Sequence, residues 1–191
     1  SELMTQLAGH PLAMRVVLQR LGDMPAAKVA EALRINIADL GLSEQEEEGW
    51  LFATLYFVEK GLAEELRPLL ALVGLHKGWV DVDHLEAMSK LVSPAWTRQL
   101  VDRLMAALRT AGLMGSISPA TYEMHPLLTS YLRSRGDAPE SCRRAFVDIM
   151  STLADALAPR ESHEQRIPFL LHGANFCYAL TLAEQLSMDQ D

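Results

Sequence analysis

A histidine stands where an apolar extended segment turns into a helical one, in the sequence Tyr-Glu-Met-His-Pro-Leu-Leu at residues 122–128. A histidine ring at the start of a helix can donate one N–H to a phosphate oxygen while the protein holds its other nitrogen. Pro126 has no N–H to leave unpaired at the next position and preorganises the helix that follows. His125 is therefore a candidate for sensing a diphosphate. The alternative is structural: Met124 and His125 would then only close the preceding hairpin onto the core.

A second candidate contact lies near the other end of the chain, in Gly9-His10-Pro11. A glycine lets the backbone approach a ligand closely, and a rigid proline ring offers an apolar wall for an adenine or ribose face. Pro11 is thus a candidate nucleotide contact. The same residues also fit an ordinary junction between a loop and a helix that opens at Pro11.

Other chemistry is not indicated by the residue types and their spacing. His76 and His84 flank Trp79, and His172 and Cys177 lie five residues apart, but no set offers the four close ligands of a structural zinc site. The sequence contains no Gly-x-Ser-x-Gly elbow, no Ser-His-Asp order and no Gly-x-x-x-x-Gly-Lys-Ser/Thr phosphate loop. We therefore expect neither catalysis nor metal binding.

The composition is that of a globular protein. The chain has 191 residues, of which 49% are hydrophobic and 22% charged, and its net charge of −8 disfavours non-specific binding to nucleic acid. No apolar stretch is long enough to span a membrane and no secretory signal opens the chain, so we expect a cytoplasmic protein without membrane partners. Cys142 and Cys177 lie within helical patterns and are expected to be reduced core thiols.

Helical periodicity dominates residues 1–60, which we interpret as a small helical subdomain. The pattern predicts one helix from Pro11 to Leu21 and a second from Pro25 to about Asn36. Ser43 and Glu46 have capping-box spacing, so a third helix is expected to begin there and to continue through Val58.

Residues 61–135 have the pattern of a winged helix-turn-helix with one short β-hairpin. We expect a helix over 62–73 ended by Gly74, and an extended stretch over 77–81. A second helix is expected to start with the Asp83 and Glu86 cap, and a long third helix to run from Ser93-Pro94 to Gly112. The alternation over 113–124 around a Ser-Pro turn predicts the two-stranded wing.

Residues 136–191 begin with an expected linker, Gly136-Asp137-Ala138-Pro139, and their pattern then predicts two helices, at about 139–158 and 162–186. Their length and their content of Ala, Leu and Tyr favour the start of a tetratricopeptide-like array, although a plain helical hairpin explains them equally. The predicted fold is thus mainly α: a helical bundle, a winged helix and a helical hairpin.

With the winged helix between them, the two motifs resemble the C-terminal half of the nucleotide-binding module in the signal-transduction ATPases with numerous domains, the NB-ARC-like class. The resemblance covers roughly residues 1–135. It implies that Pro11, from a Gly-x-Pro loop, and His125, from a Met-His-Asp-like motif, both contact bound ADP. The family usually has aspartate after this histidine, whereas Pro126 stands here and lacks a carboxylate.

The resemblance also implies the role of the chain. It would be a regulatory fragment whose winged helix acts as an ADP-sensing lid and controls autoinhibition and oligomerisation. The phosphate loop would then precede Ser1, so ADP or ATP would bind the intact parent protein and not the isolated fragment. The implied partners are an upstream nucleotide-binding domain, downstream helical repeats and an inducer of unknown identity.

Two alternatives remain open. A DNA-binding regulator would use the long helix for recognition, with Arg98, Arg103 and Arg109, and residues 92–135 contain five arginines against two acidic residues. The predicted wing tip at 116–120 contains no Lys or Arg for phosphate contacts, which disfavours that role. A helical protein-interaction scaffold would explain the last fifty or so residues but would leave the two motifs without a role.

Overall fold

The computed structural model describes residues 7, 10–22 and 24–188, which are mainly helical and contain one small antiparallel sheet. Gly9 of the Gly-x-Pro motif lies outside the described residues. The elements in chain order are α1 (Pro11–Arg20), α2 (Ala26–Asp39), α3 (Glu47–Gly61), a 3-10 helix (Glu64–Leu69), α4 (Leu70–Leu75), β1 (Trp79–Asp81), α5 (Val82–Val92), α6 (Arg98–Thr110), β2 (Met114–Ser116), β3 (Thr121–Met124), α7 (Pro126–Ser134), α8 (Glu140–Leu157) and α9 (Ser162–Met188).

The chain divides into two compact units. The first consists of Ser1–Ala63 with Ala107–Leu113, and the second of Glu64–Ala106 with Met114–Asp191. The three domains expected at 1–60, 61–135 and 136–191 stay a prediction.

The core of the first unit is formed by apolar residues at helical spacing on α1, α2 and α3. Its buried members are Leu7, Ala13, Val17, Val29, Ala30, Leu33, Ile37, Trp50 and Ala53. Between α2 and α3, the buried Asn36 side chain donates to the Ala53 carbonyl at 3.1 Å and accepts from Lys60 Nζ at 3.1 Å. These bonds satisfy a buried amide and fix how the two helices pack.

The third helix begins later than the capping-box spacing predicts. It starts at Glu47, because residues 43–46 form a turn in which Ser43 Oγ accepts from the Gln45 amide at 3.1 Å. The Trp50 indole N–H donates to the Glu44 carbonyl at 2.8 Å and holds this turn over the helix. A Cβ at Gly49 would clash with the Ser43 carbonyl, so the turn requires glycine there.

The sheet of the second unit has the strand order β1-β3-β2, and both neighbours pair antiparallel with β3. Val80 of β1 lies opposite Tyr122, and Gly115 of β2 lies opposite Glu123. Val80, Tyr122 and Met124 are buried and Glu123 is exposed. The hairpin expected over 113–124 is confirmed, and the extended stretch over 77–81 contributes the third strand.

The helix expected over 62–73 is divided in two. Residues Glu64–Leu69 form a 3-10 helix that contains Pro68, which has no N–H for a helical hydrogen bond. The following α4 includes Gly74 and ends at Leu75, so the expectation that Gly74 stops the helix was wrong.

Two predicted helix starts also needed correction. Asp81, not Asp83, caps α5, since Asp81 Oδ1 accepts from the amides of Asp83 at 2.9 Å and His84 at 3.2 Å. The long helix α6 begins at Arg98, because Ser93 Oγ accepts from the Ala95 amide at 3.3 Å and residues 93–97 form turns instead.

The two C-terminal helices lie where their periodicity places them. Helix α8 packs mainly on α9, α5 and α4, and both C-terminal helices belong to the second unit. Cys142 is buried in α8, where burial raises the pKa of its thiol, but Cys177 is exposed on α9. The expectation of a core thiol was therefore correct only for Cys142. None of the helices described is long and apolar enough to cross a membrane.

Candidate functional site

His125 occupies the N-cap position of α7, directly after β3. Its backbone is extended, and its ring Nδ1 accepts a hydrogen bond from the Leu127 amide at 3.2 Å. When the ring is neutral, this bond requires the ring proton to be on Nε2. The half-buried side chain also lies at the N-terminus of α7, where the positive end of the helix dipole attracts anions.

The junction that holds His125 is anchored on both sides. Met124 is 2% exposed, and its amide donates to the Gly78 carbonyl at 2.7 Å. On the helical side Leu128 and Tyr131 are buried. The sheet and the first two turns of α7 therefore fix the position of the ring, as a sensor of a bound group requires.

Pro11 is the first residue of α1 and is exposed. His10 precedes it as N-cap without a side-chain capping bond, and its backbone amide donates to the Leu7 carbonyl at 2.8 Å. Pro11 belongs to the first unit and His125 to the second. Each candidate contact therefore stands on its own local geometry.

Arg98, at the start of α6, is held by three carboxylates. Its guanidinium donates to Asp83 at 2.7 Å, to Asp102 at 2.9 Å and to Glu86 at 3.0 Å. These hydrogen bonds, that with Glu86 first, raise the pKa of Arg98 above its ordinary value. Within the second unit the positive charge is thus largely neutralised by the protein.

The other two candidate arginines differ in their surroundings. Arg103 Nη2 donates to Glu65 at 2.9 Å, and both side chains are about half exposed. Arg109 is exposed on the part of α6 that belongs to the first unit. Of the three candidate DNA contacts, the structure thus pairs Arg98 and Arg103 with acidic side chains.

Three histidines of the second unit meet where α4, α5 and α9 come together, which the sequence did not reveal. His76 is 1% exposed and its Nδ1–H donates to the Leu72 carbonyl at 3.0 Å. Burial above all lowers the pKa of His76 to about 4. The rings of His84 and His172 have centroids 5.2 Å apart, and burial lowers the pKa of His172, with a smaller contribution from His84.

This cluster has the properties of a packing group. The buried atoms His76 Nε2 and His84 Nδ1 have no hydrogen-bond partner, and His76 packs edge-on against Phe146 of α8. In the part of the chain that is described, no three or more His, Cys, Asp or Glu side chains are arranged to hold a metal. The histidines are far apart in sequence, so only tertiary structure identifies the group.

Asn175 of α9 is a further residue that sequence reasoning missed. It is fully buried, its Oδ1 accepts from the Lys77 amide at 2.6 Å, and its Nδ2 donates to the Trp79 carbonyl at 3.2 Å. One side chain thus supplies hydrogen-bond partners for two backbone groups at the start of β1. It ties the C-terminal helix to the sheet that carries His125.

The described residues also line open cavities, of which two concern the elements above. One, of about 330 Å³, lies in the first unit and is lined by Val16, Gln19, Val58, Gly61, Leu62, Ala107, Thr110 and Ala111. The other, of about 140 Å³, is an apolar groove between α8 and α9 that includes Met150, Phe176 and Leu180.

No family model, curated protein or solved structure matches this chain. A functional assignment must therefore be argued from its own residues. The side chain best placed to act on a ligand is His125, since it lies half-buried at a helix N-terminus on an anchored junction.

Proposed function

We propose that this chain is the regulatory part of a nucleotide switch, in which a winged helix senses bound ADP and holds a signal-transduction ATPase of the NB-ARC-like class at rest. The observation that carries this proposal is the position of His125, which caps α7 immediately after the last strand of the sheet. It is the position that the resemblance assigns to the ADP-sensing histidine.

The order of elements in the second unit supports a winged helix. A helix, a strand, two further helices and a β-hairpin follow one another from α4 to β3, and the strand order is β1-β3-β2. Helices α5 and α6 would be the helix-turn-helix, and β2 and β3 the wing. We further propose that α8 and α9 are the first pair of a tetratricopeptide-like array.

The chemistry of His125 suits a diphosphate. Because Nδ1 accepts from the Leu127 amide, the neutral ring presents Nε2–H as a donor for a phosphate oxygen. The positive end of the α7 dipole adds a favourable field for an anion. With ADP bound, this contact would stabilise the closed lid, and exchange for ATP would shift the population to an open state that oligomerises.

The proposal assigns the remaining parts of the switch to the intact parent protein. An upstream nucleotide-binding domain would supply the phosphate loop and bind ADP or ATP, and Pro11 would form an apolar wall beside the adenine or ribose. Downstream helical repeats would receive an inducer. The 191-residue chain itself would be neither an enzyme nor a tight ADP binder.

DNA recognition is less well supported. Arg98 and Arg103 are already engaged by carboxylates of the second unit, and a recognition helix would have to give up these ion pairs to reach bases or phosphates. The loop at 116–120 between β2 and β3 is largely exposed but has no basic residue.

A second candidate function, a helical interaction scaffold, is favoured by one specific observation. Helix α9 exposes Ile167, Phe169, Leu170 and Leu180, each with 48–77% of its surface accessible. Large apolar side chains exposed along one helix mark a surface that another protein covers.

Two experiments distinguish the nucleotide switch from a DNA-binding regulator. We expect the intact parent protein to bind ADP, and residues 1–191 alone to bind it weakly or not at all in calorimetry. We expect no specific duplex from a random-sequence selection with residues 1–191. Tight, salt-sensitive binding of a selected duplex that is lost on Arg98→Ala with Arg103→Ala would instead identify a DNA reader.

A further inference from the structure

Helix α9 is apolar on two opposite sides. One side carries His172, Asn175, Ala179, Leu182 and Leu186, which are all buried in the second unit. The opposite side carries Ile167, Leu170, Ala174, Cys177 and Leu180, which are all exposed, with Leu170 77% accessible. A helix that is apolar all round is normally covered on all sides.

The exposed side, which we call the outer face of α9, has an ordered charge pattern. Arg166 lies at one end and Glu184 at the other, and no Lys, Arg, Asp or Glu lies between them in the sequence. They are separated by 18 residues, which is five helical turns or about 27 Å, so both point to the same side. Both are exposed.

This pattern is complementary to itself when the helix is reversed. Arg166 and Glu184, Leu170 and Leu180, and Gly173 and Cys177 are each placed symmetrically about residue 175. In an antiparallel pair with its two-fold axis there, Arg166 meets Glu184 of the second copy twice. A parallel pair would instead put like charges together at both ends.

We infer that the outer face of α9 is a self-association surface, on which a second copy of this chain docks antiparallel. Leu170 of each copy packs against Leu180 of the other. The small residues Gly173, Ala174 and Cys177 at the centre let the two helices approach closely, as tightly packed helix pairs require. A two-fold axis makes each contact occur twice from one surface, which is the usual route to homodimers.

The size of the surface sets the expected strength. A single helix pair of this length buries an area at the low end of specific interfaces, roughly 1,200 Å² or less. We therefore expect a concentration-dependent dimer with a dissociation constant in the micromolar range. This association is independent of ADP and goes beyond the lid function proposed above. It uses the face of α9 that the next repeat of a tetratricopeptide-like array would cover, so a dimer through this face excludes that continuation of the array.

The first test is the oligomeric state of the 191-residue chain, measured by sedimentation velocity over about 1 to 100 µM. Wild type is expected to pass from monomer to dimer in this range. Leu170→Glu should weaken dimerisation about 100-fold or more, since two apolar contacts are lost. The matched control is Leu91→Glu on α5, where 57% of the side chain is exposed, and it should leave the dimer unchanged.

The second test uses the charges of Arg166 and Glu184, which are both exposed. Arg166→Glu or Glu184→Arg alone should weaken the dimer about tenfold, because each change places like charges opposite one another twice. Combining the two substitutions in one chain should restore wild-type affinity. Raised salt should reduce these differences.

The third test fixes the direction of the helices. A Cβ at Gly173 meets nothing within 4 Å, so Gly173→Cys is tolerated, and its thiol should form a disulfide with Cys177 of the second copy under mild oxidation. Wild type should form no such crosslink, because two copies of Cys177 are too far apart in the antiparallel pair. A wild-type chain that remains monomeric at the highest concentration, or a dimer that Leu170→Glu does not weaken, would overturn the inference and leave this face to a different protein.

Discussion

Replacing Asn175 with alanine tests whether α9 is fixed to the sheet that carries His125. The Asn175 side chain is fully buried and spans the two groups that open β1, accepting from the Lys77 amide at 2.6 Å and donating to the Trp79 carbonyl at 3.2 Å. Alanine leaves the Lys77 amide and the Trp79 carbonyl without this partner, and water cannot take the place of the lost side-chain amide without opening the packing of α9.

The magnitude follows from the two groups left without partners. Each partly buried backbone group that loses its hydrogen bond costs about 1–2 kcal/mol. We therefore expect Asn175→Ala to lower the free energy of unfolding of the second unit by about 2–4 kcal/mol. The matched control is Gln185→Ala, which removes an exposed amide side chain from the same helix and should cost less than about 0.5 kcal/mol.

Hydrogen exchange gives the local measurement. The Lys77 amide should exchange about tenfold faster or more in Asn175→Ala, together with amides of β1, while amides of the first unit keep their rates. A loss of stability below about 0.5 kcal/mol with unchanged protection at Lys77 would refute the argument. It would mean that the C-terminal helices are attached to the sheet by apolar packing alone.

Three further predictions concern the second unit. The pKa of His76 is about 4 in the folded chain and 6.5 ordinarily, so the unfolded chain binds more protons below pH 6.5, and the free energy of unfolding should fall by about 3 kcal/mol as the pH drops from 6.5 to 4. Urea unfolding at several pH values should show a weaker pH dependence for His76→Leu than for the exposed control His163→Leu. Leu104→Ala should cost about 2–5 kcal/mol in the same assay, because Leu104 is fully buried on α6. Arg98→Ala with Arg103→Ala should leave the circular dichroism spectrum unchanged and reduce stability by no more than about 1 kcal/mol per exposed arginine; a chain that fails to fold would show that these ion pairs are structural.

Local patterns predicted which segments are helical and which are extended. Pro11 opens α1, the alternation around Ser118-Pro119 forms the β2-β3 hairpin, and His125 lies between β3 and α7 as expected. These features depend on residues within a few positions of one another. Their interactions are therefore visible in the sequence.

Helix starts were less predictable, because several residues compete for the same capping role. Asp81 and Asp83 can both cap α5, and in the structure Asp81 does so. With Asp81 as the cap, Val82 lies in the first turn of the helix, where it is buried with 2% of its surface exposed. At α3 the Trp50 indole bonds to the Glu44 carbonyl and holds a turn where the capping box predicted a helix. Burial of Val82 accompanies the first case, and a hydrogen bond between residues six positions apart accompanies the second.

The long-range features could not be predicted from the sequence. Asn175 lies 98 positions from Lys77, and nothing in its neighbourhood indicates that it will pair with a backbone amide. The proximity of His84 and His172 likewise arises only when α9 packs on the other helices of the second unit. The carboxylates around Arg98 come partly from another helix, so its charge looked more available in the sequence than it is in the structure.

The rate at which ADP leaves the intact parent protein tests the nucleotide-switch proposal most directly. Stopped-flow measurement with a fluorescent ADP should give a dissociation rate about tenfold higher or more for His125→Ala, since one hydrogen bond from the ring to a phosphate oxygen is lost. The control His163→Ala, at an exposed position on α9, should match wild type. An unchanged rate in His125→Ala, or an intact protein that does not bind ADP, would contradict the sensing role and leave His125 as the cap of α7 alone.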